Sequence, residues 1–258
     1  MTPPRADLWR RWLAPAALLA ALVALWQITV QVTAAPAWLA PSPVAVWQAL
    51  IDDHAQLWAN FLVTLQEVLL GFALALVAGI GCGVAIARSP LLDRALYPLI
   101  IASQTVPVPA IAPLLLVWFG YGLLPKVLVT ALVGFFPLVV NTVEGLRSTD
   151  REVIALLRAF GAPPGRIFRL AELPSALPSI FSGARIAVAI CVIGAVFGEL
   201  VGAKAGLGYL LTRSIAQFET ARMVAAIVLL ALMGSSLFAL VGLVERVALP
   251  WRRLNREG

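Results

Sequence analysis

Long runs of apolar residues without charge alternate along this chain with shorter polar segments. Each long run holds about 20 residues or more, the length with which a helix crosses a bilayer core about 30 Å thick. Lipid offers no hydrogen-bond partners, so the backbone of such a segment pairs its polar groups within a helix. Uncharged runs of this length occupy residues 13–32, 68–87, 96–119 and 223–244. We predict one membrane span from each of them.

Two further runs are shorter and end beside charged residues. Residues 127–143 reach the required length if Lys126 and Glu144 lie at the two membrane interfaces with their stems in the apolar zone. The run at 186–198 also fits a re-entrant segment, but its flanking charged residues can reach the interfaces, which favours a sixth crossing. We therefore expect an all-α, polytopic membrane protein with six transmembrane helices, at about 13–32, 66–87, 96–119, 125–144, 180–201 and 223–246.

Composition and basic residues define the class and the orientation. The chain is 61% hydrophobic and 12% charged, far from the usage of soluble proteins. Basic residues beside spans are retained on the cytoplasmic side. Both termini are therefore expected to be cytoplasmic, as a segment at 1–12 and a tail at 250–258. The net charge of +6 reflects this topology and attraction to lipid headgroups, so nucleic acid is not expected as a partner. The basic residues left on the outer side are Lys126, Lys204, Arg213 and Arg222.

The sequence lacks the patterns of several energy sources and of active-site chemistry. It contains no GxxxxGK[ST] phosphate loop, so it should not bind ATP by that route. His54 is its only histidine, which leaves neither a histidine pair for zinc nor a histidine-based triad. The middle of each predicted span carries no ionisable residue, although proton-coupled carriers usually place one there. We expect no catalytic residue, cofactor or metal site, and free energy must come from a partner unless transport is passive.

An arginine-rich segment at 147–179 separates the fourth and fifth predicted spans on the inner side. The spacing of Thr149 and Glu152 fits a capping box, so a helix should begin near Asp150. Gly161, followed by two prolines, should end this helix after about three turns. Such a helix either lies on lipid headgroups or docks a soluble partner. Its apolar stripe, at i, i+3, i+4 and i+7, consists of Val153, Leu156, Leu157 and Phe160.

A second short helix is expected from Gly165 to about Glu172. It should end at Leu173 and Pro174, because proline cannot continue a helix without losing a hydrogen bond. The spacing from Gly161 to Leu173 and Pro174 resembles the cytoplasmic loop signature of permease subunits of ATP-binding-cassette importers. The loop departs from the family pattern where Glu-Ala-Ala and a later isoleucine are usual. A degenerate opening is typical of the nitrate, sulfonate and taurine branch, and the departing residues here are Ala155, Leu156, Leu157 and Ala171.

The resemblance to that branch extends over most of the chain, from about residue 36 to residue 251. Several separated motifs occur in the family's order. They are Pro41-Ser42-Pro43 with Val46-Trp47, then Gln104, Thr105, Pro107, Ala112-Pro113-Leu114 and Trp118-Phe119-Gly120, then Phe135-Phe136-Pro137, Asn141-Thr142 and Gly145-Leu146, and finally Glu199 with Gly206-Leu207-Gly208-Tyr209.

This resemblance implies a transmembrane permease domain at 13–249 in a bacterial inner membrane, with a coupling helix that inserts into an ATPase subunit. The expected partners are two ATPase subunits, a second permease copy in a homodimer, an extracytoplasmic solute-binding protein and membrane lipid. The solute would be nitrate, a sulfonate, taurine or a vitamin precursor. A stand-alone secondary carrier or channel is the alternative, and a membrane enzyme is disfavoured. The residues implied in ATPase coupling are Val153, Leu156, Leu157, Phe160, Gly161, Leu173 and Pro174.

A translocation path is expected beside the third span. Pro107 and the prolines that follow it should break or kink the helix just after Ser103, Gln104 and Thr105. Non-helical backbone at membrane depth must face protein or a water-filled cavity, so a path fits this position. A structural kink, with the polar side chains bonded to their own helix, fits it equally well.

Three polar residues of other spans each leave two roles open. Asn141 lines the path or bonds to its own helix. Glu199 belongs to the path as part of an outer gate, or it meets Arg213 or Arg222 at the interface. Arg185 is expected to snorkel to the inner interface rather than to bind solute.

Small residues recur every four positions in the second and fifth spans. Gly194, Gly198 and Gly202 form such a face, which allows another helix to approach closely, in the same chain or in a second copy. Gly79 and Gly83 offer a similar surface, for which packing within the chain is favoured.

Overall fold

The computed structural model describes residues 5–250, with side chains from Leu13 onward. Residues 251–258 of the predicted inner tail, and the side chains of the predicted inner segment 1–12, lie outside the described residues. Helices are the only regular secondary structure of the described part, which contains no strand. Its helices are α1 (Arg5–Thr33), α2 (Pro43–Asp52), α3 (His54–Arg88), α4 (Pro90–Ser103), α5 (Val108–Phe119), α6 (Leu123–Arg147), α7 (Arg151–Ala159), α8 (Pro164–Ile167), α9 (Leu173–Leu200), α10 (Leu207–Ala216) and α11 (Thr220–Ala248).

Five helical segments of the described residues are long and apolar enough to cross a membrane, and a bent helix pair can supply a sixth crossing. This agrees with a polytopic all-α protein. The helices extend beyond the uncharged runs, since α3 begins at His54 and α11 at Thr220. Charged residues near the ends of the runs therefore lie inside helices.

The third predicted span is the bent pair, α4 and α5, whose axes differ by 100°. Pro107 precedes the first turn of α5, and the residues from Gln104 to Pro107 connect the two helices. Proline removes a backbone donor and clashes with the preceding turn, which explains the break. Ser103 Oγ donates to Ile100 O at 2.8 Å and Thr105 Oγ1 donates to Ala102 O at 2.7 Å, so hydroxyl groups satisfy carbonyls at the end of α4. The predicted break is confirmed.

Two compact units make up the chain, one formed by residues up to Ala59 with Leu210–Val228, the other by the rest. In the first unit, the side chain of Ser42 caps α2 by accepting from Ala45 N at 3.2 Å. Arg222 pairs with Asp53 at 2.7 Å and with Glu219. This Arg222 pairing replaces the predicted contact with Glu199.

Close packing of α6 against α9 and α3 forms the centre of the second unit. Glycines permit this approach. A Cβ on Gly134 of α6 would lie 2.6 Å from Cys191 Sγ of α9, and one on Gly79 of α3 would lie 2.7 Å from Leu138 Cβ of α6. A Cβ on Gly198 of α9 would lie 3.1 Å from Lys126 Cα of α6. Both predicted small-residue faces therefore pack within the chain against α6, except at Gly202, which follows α9 and contacts Tyr121 and Leu116.

A single continuous helical segment, Pro164–Leu200, replaces the predicted short helix that ends at Leu173 and Pro174. That prediction was wrong, because a π-helical turn at Phe168–Glu172 accommodates the proline. In this wider turn Leu173 N donates to Phe168 O, one residue further back than in an α-helix. The added residue opens the turn where the Pro174 ring would otherwise clash.

Candidate coupling loop and translocation path

The loop between α6 and α9 carries the amphipathic helix α7, which begins at Arg151 as expected. Its cap differs from the predicted capping box. Asp150 occupies the N-cap position and accepts from Glu152 N at 2.8 Å, whereas Thr149 Oγ1 donates to Leu146 O at 3.1 Å. Aspartate and threonine are both good N-caps, and the buried position of Thr149 directs its hydroxyl to the preceding helix instead.

Gly161 ends α7 in a left-handed conformation, with φ of 73°. Gly161 N donates to Arg158 O at 2.9 Å and Ala162 N donates to Leu157 O at 3.0 Å, so the last carbonyls of the helix are satisfied. The predicted helix end is confirmed, and glycine is the residue that adopts this conformation without cost from a Cβ.

The apolar stripe of α7 is exposed, and none of the residues of this helix is buried. Val153 is 44% exposed, Leu156 57% and Phe160 81%, while Leu157 is half-buried. Apolar side chains at helical spacing normally face a core. Within the described chain this stripe has no such core, so the covering surface belongs to another molecule or to lipid.

Both ends of the loop contact the inner ends of neighbouring helices. Arg147, at the end of α6, pairs with Asp93 of α4 and lies 5.4 Å above the ring of Tyr97. Arg88, at the end of α3, lies 4.8 Å above the ring of Phe168, near the start of α9. The segments entering and leaving α7 are therefore attached to two further helices of the second unit, α4 and α3. Leu173 and Pro174 are half-buried within the segment that leaves the loop.

The candidate path residues of the third span lie together at the break between α4 and α5. Ser103, Gln104, Thr105 and Pro107 are all exposed. The hydroxyl groups of Ser103 and Thr105 bond to carbonyls of α4, which is the structural alternative that the sequence left open. Asn141, by contrast, is half-buried in α6, where its amide donates to Pro137 O at 2.8 Å. This bond within its own helix is the structural alternative that the sequence left open.

Glu199, at the outer end of α9, is 1% exposed and is held by hydrogen bonds. Thr64 Oγ1 donates to its Oε1 at 2.6 Å, and Gly208 N donates to its Oε2. Gly206 N donates to Asn60 Oδ1 at 2.7 Å, and Leu207 N donates to Thr64 Oγ1 at 2.8 Å. The interfacial pairing with Arg213 or Arg222 was the wrong prediction, because the carboxylate faces α3 and the loop that follows α9.

A buried ion pair joins α3 and α6 beside this network. Lys126 Nζ lies 2.7 Å from Glu67 Oε1, and the two side chains are 14% and 1% exposed. The sequence predicted a membrane interface for Lys126 and did not indicate this partner. The missed signal is the helical spacing of Asn60, Thr64 and Glu67, which places three polar residues on one face of α3.

Arg185, which the sequence predicted to snorkel to the inner interface, also pairs within the chain. Its guanidinium lies 2.5 Å from Glu245 Oε2 and donates to Gly242 O at 3.4 Å, both in α11. The apolar run around it suggested an end at the membrane surface. Pairing with Glu245 offsets part of the cost of removing the guanidinium from water.

The family model described as "Binding-protein-dependent transport system inner membrane component" matches residues 75–248, which include the whole loop and the helices that flank it. The chain belongs to this family. The protein is thus a permease subunit of an ATP-binding-cassette importer in a bacterial inner membrane, and ATP hydrolysis takes place on a separate subunit. The family works with such an ATPase and with a solute-binding protein.

Relatives of this permease carry names that refer to different solutes. The formylaminopyrimidine transport permease protein ThiX of Halalkalibacterium halodurans is 41% identical over 90% of this chain and 93% of its own. The riboflavin transport system permease protein RibX of Chloroflexus aurantiacus is 40% identical over 89% and 87%. The putative aliphatic sulfonates transport permease protein SsuC of Escherichia coli is 32% identical over 94% of each. These relatives match the branch indicated by the sequence motifs.

The fold is shared with a chain of the MetNI methionine ABC transporter, solved in inward-facing conformations. The TM-score is 0.66 with 21% identity, over 76% of this permease and 97% of that chain.

Proposed function

We propose that α7 is the coupling helix of this permease and that its exposed stripe docks into the separate ATPase subunit. The observation that supports this is the exposure of Val153, Leu156 and Phe160 on a helix whose ends are well formed. The N-cap at Asp150 and the left-handed Gly161 at the other end define both ends of this short helix. A short helix with fixed ends is suited to insertion into a groove of a partner protein.

A charge on the docking face tests this role against lipid binding. Phe160→Asp should abolish co-purification of the ATPase subunit and ATP-driven uptake, because a carboxylate would be buried without a partner. Ala155→Asp is the matched control, since Ala155 is exposed on the opposite face of the same helix. Full assembly of the Phe160→Asp permease would contradict the docking role.

We propose that α6 and α9 transmit the motion of α7 into the membrane. A Cβ on Gly145 of α6 would lie 3.0 Å from Ala176 O and 2.8 Å from Ser179 Cβ of α9, so the helices touch beside the loop. The core residues Leu146, Ala176 and Ile180 pack at the same level. Two helices in such contact move together, and ATP-driven closure at the coupling helix would tilt both.

We propose that two copies of the permease, as a homodimer embedded in membrane lipid, enclose the solute path beside the break between α4 and α5. Exposed Ser103, Gln104, Thr105 and Pro107 support this placement, since polar groups at a break in a spanning helix need water or protein around them. In this proposal Asn141 and Glu199 support the packing of α6 and α9 behind the path and do not contact the solute.

We infer that the solute is a small heterocyclic compound of the vitamin-precursor type. The relatives named for formylaminopyrimidine and riboflavin are 41% and 40% identical, whereas those named for sulfonates and taurine are 28% to 32% identical. Binding of pyrimidines, flavins, sulfonates and nitrate to the cognate binding protein tests this inference. Uptake by the permease alone in liposomes without ATP would instead support a secondary carrier or channel.

A further inference from the structure

The loop that follows α9, residues 201–206, is attached to α3 by the buried network around Glu199. Three successive backbone amides, of Gly206, Leu207 and Gly208, donate in turn to Asn60, Thr64 and Glu199. The bond from Gly208 has a carboxylate as its acceptor, and a charge-assisted bond of this kind is about twice as strong as a neutral one. We call this loop the outer loop, because the orientation predicted from the basic residues places the end of α9 on the outer side.

The backbone at Gly206 and Gly208 approaches the Glu199 carboxyl group so closely that these positions require glycine. Gly206 has φ of 118°, and a Cβ there would collide with the carboxyl group of Glu199. A Cβ on Gly208 would lie 2.8 Å from Glu199 Oε2. The carboxylate is thus enclosed by the backbone of the outer loop, which explains why two glycines flank Leu207.

The outer loop also packs against the connection between α5 and α6. A Cβ on Gly202 would lie 2.9 Å from the ring of Tyr121. Beneath this contact is a crevice lined by Leu116, Lys126, Gly198 and Gly202, among others. The crevice lies beside α5, the helix that follows the break. Lys126 is the only charged residue among those that line it. Displacement of the outer loop would uncover it.

We propose that the Glu199 network is a latch that holds the outer loop over this crevice and releases it once in each transport cycle. Glu199 is then a positioning residue that acts through the loop. The inference rests on the proposed function, because an importer must open its outer side to receive solute. It adds the residues that would control that opening.

The neighbouring ion pair makes the closed arrangement reversible. Glu67 Oε2 is buried and has no hydrogen-bond donor among the described residues. A buried acceptor without a donor is unfavourable, and water entering the opened crevice would satisfy it. Hydration would thereby offset part of the hydrogen bonding that the amides lose on opening.

Hydrogen exchange of the permease alone tests the cooperative latch. In Thr64→Val, the amides of Gly206 and Gly208 should exchange about 10-fold faster although their own acceptors are intact, because loss of one bond to a charged group weakens the whole attachment. Thr64→Ser keeps the hydroxyl and should restore slow exchange. A change confined to Leu207, whose acceptor is removed, would overturn the proposal.

Exchange in the assembled transporter tests whether the latch opens, and it needs no substitution. With binding protein, solute and ATP supplied, exchange at Gly206–Gly208 should be faster than in the resting complex, while amides in the middle of α9 remain slow. Equal protection in both states would overturn the latch. A complex that does not hydrolyse ATP would contradict the proposed function instead, and the Thr64 comparison on the permease alone would still decide the cooperative attachment.

Discussion

Adding one methyl group at Gly183 should separate α6 from α9. A Cβ there would lie 2.7 Å from Asn141 Cβ and 2.9 Å from Pro137 O. The carbonyl is backbone, and the Asn141 side chain is held by its bond to the same carbonyl, so neither neighbour can turn away cheaply. The helices must therefore move apart.

The expected cost follows from three contributions. Overpacking costs about 2 kcal/mol, and loss of the bond from Asn141 to Pro137 O costs about 1 kcal/mol. Replacing a helical glycine by alanine stabilises the helix by about 1 kcal/mol, which offsets part of this loss. The net loss of about 2 kcal/mol corresponds to a fall in melting temperature of about 4–8 °C for a chain of this size.

Gly81→Ala provides the matched control. Gly81 is exposed in α3, and a Cβ there would meet no atom within 4 Å, so only the gain in helix propensity remains. Thermal unfolding of both variants in detergent, followed by tryptophan fluorescence, should place Gly183→Ala below wild type and Gly81→Ala at or above it. Equal melting temperatures for the two variants would refute tight packing of α6 on α9.

Three further substitutions test other parts of the structure. Gly161→Ala should cost about 1–2 kcal/mol at the end of α7 and should reduce the ATPase activity of the complex. Gly165→Ala is the control and should leave the activity unchanged, because a Cβ there meets open space and φ is not positive. Equal activities of the two variants would contradict the left-handed cap. Lys126→Met should lower the folded yield in detergent by leaving the Glu67 carboxylate buried alone, at a cost of about 3–5 kcal/mol, and adding Glu67→Gln should restore it. Asp150→Ala should cost α7 about 1 kcal/mol, seen as faster amide exchange in its first turn, and unchanged exchange would remove the N-cap assignment.

Features that depend on local sequence were predictable. Uncharged runs locate the membrane helices because a span must be apolar over its whole length. The prolines around Pro107 predict the break between α4 and α5, and the stripe that ends at Phe160 predicts α7. Each of these signals lies within one element, and the structure places each of them close to its expected residues.

Features that depend on pairing between distant residues were not predictable. Lys126 and Arg185 border apolar runs, and a single charge in that place normally lies at a membrane interface. Their partners, Glu67 and Glu245, are remote in sequence, so nothing local indicates a buried pair. The proline after Leu173 likewise looks like a stop signal, because a π-helical turn is a rare solution with no local motif.

The uninterrupted helical segment Pro164–Leu200 gives this permease a lever arm of 37 residues. At a rise of 1.5 Å per residue the arm is about 55 Å long, so a tilt of about 5° displaces its far end by about 5 Å. One end begins beside α7, the proposed coupling helix, and the other carries Glu199. In the proposed transport cycle, a small tilt of this segment at α7 would thus displace Glu199 by more than the length of a hydrogen bond, without any rearrangement within the arm.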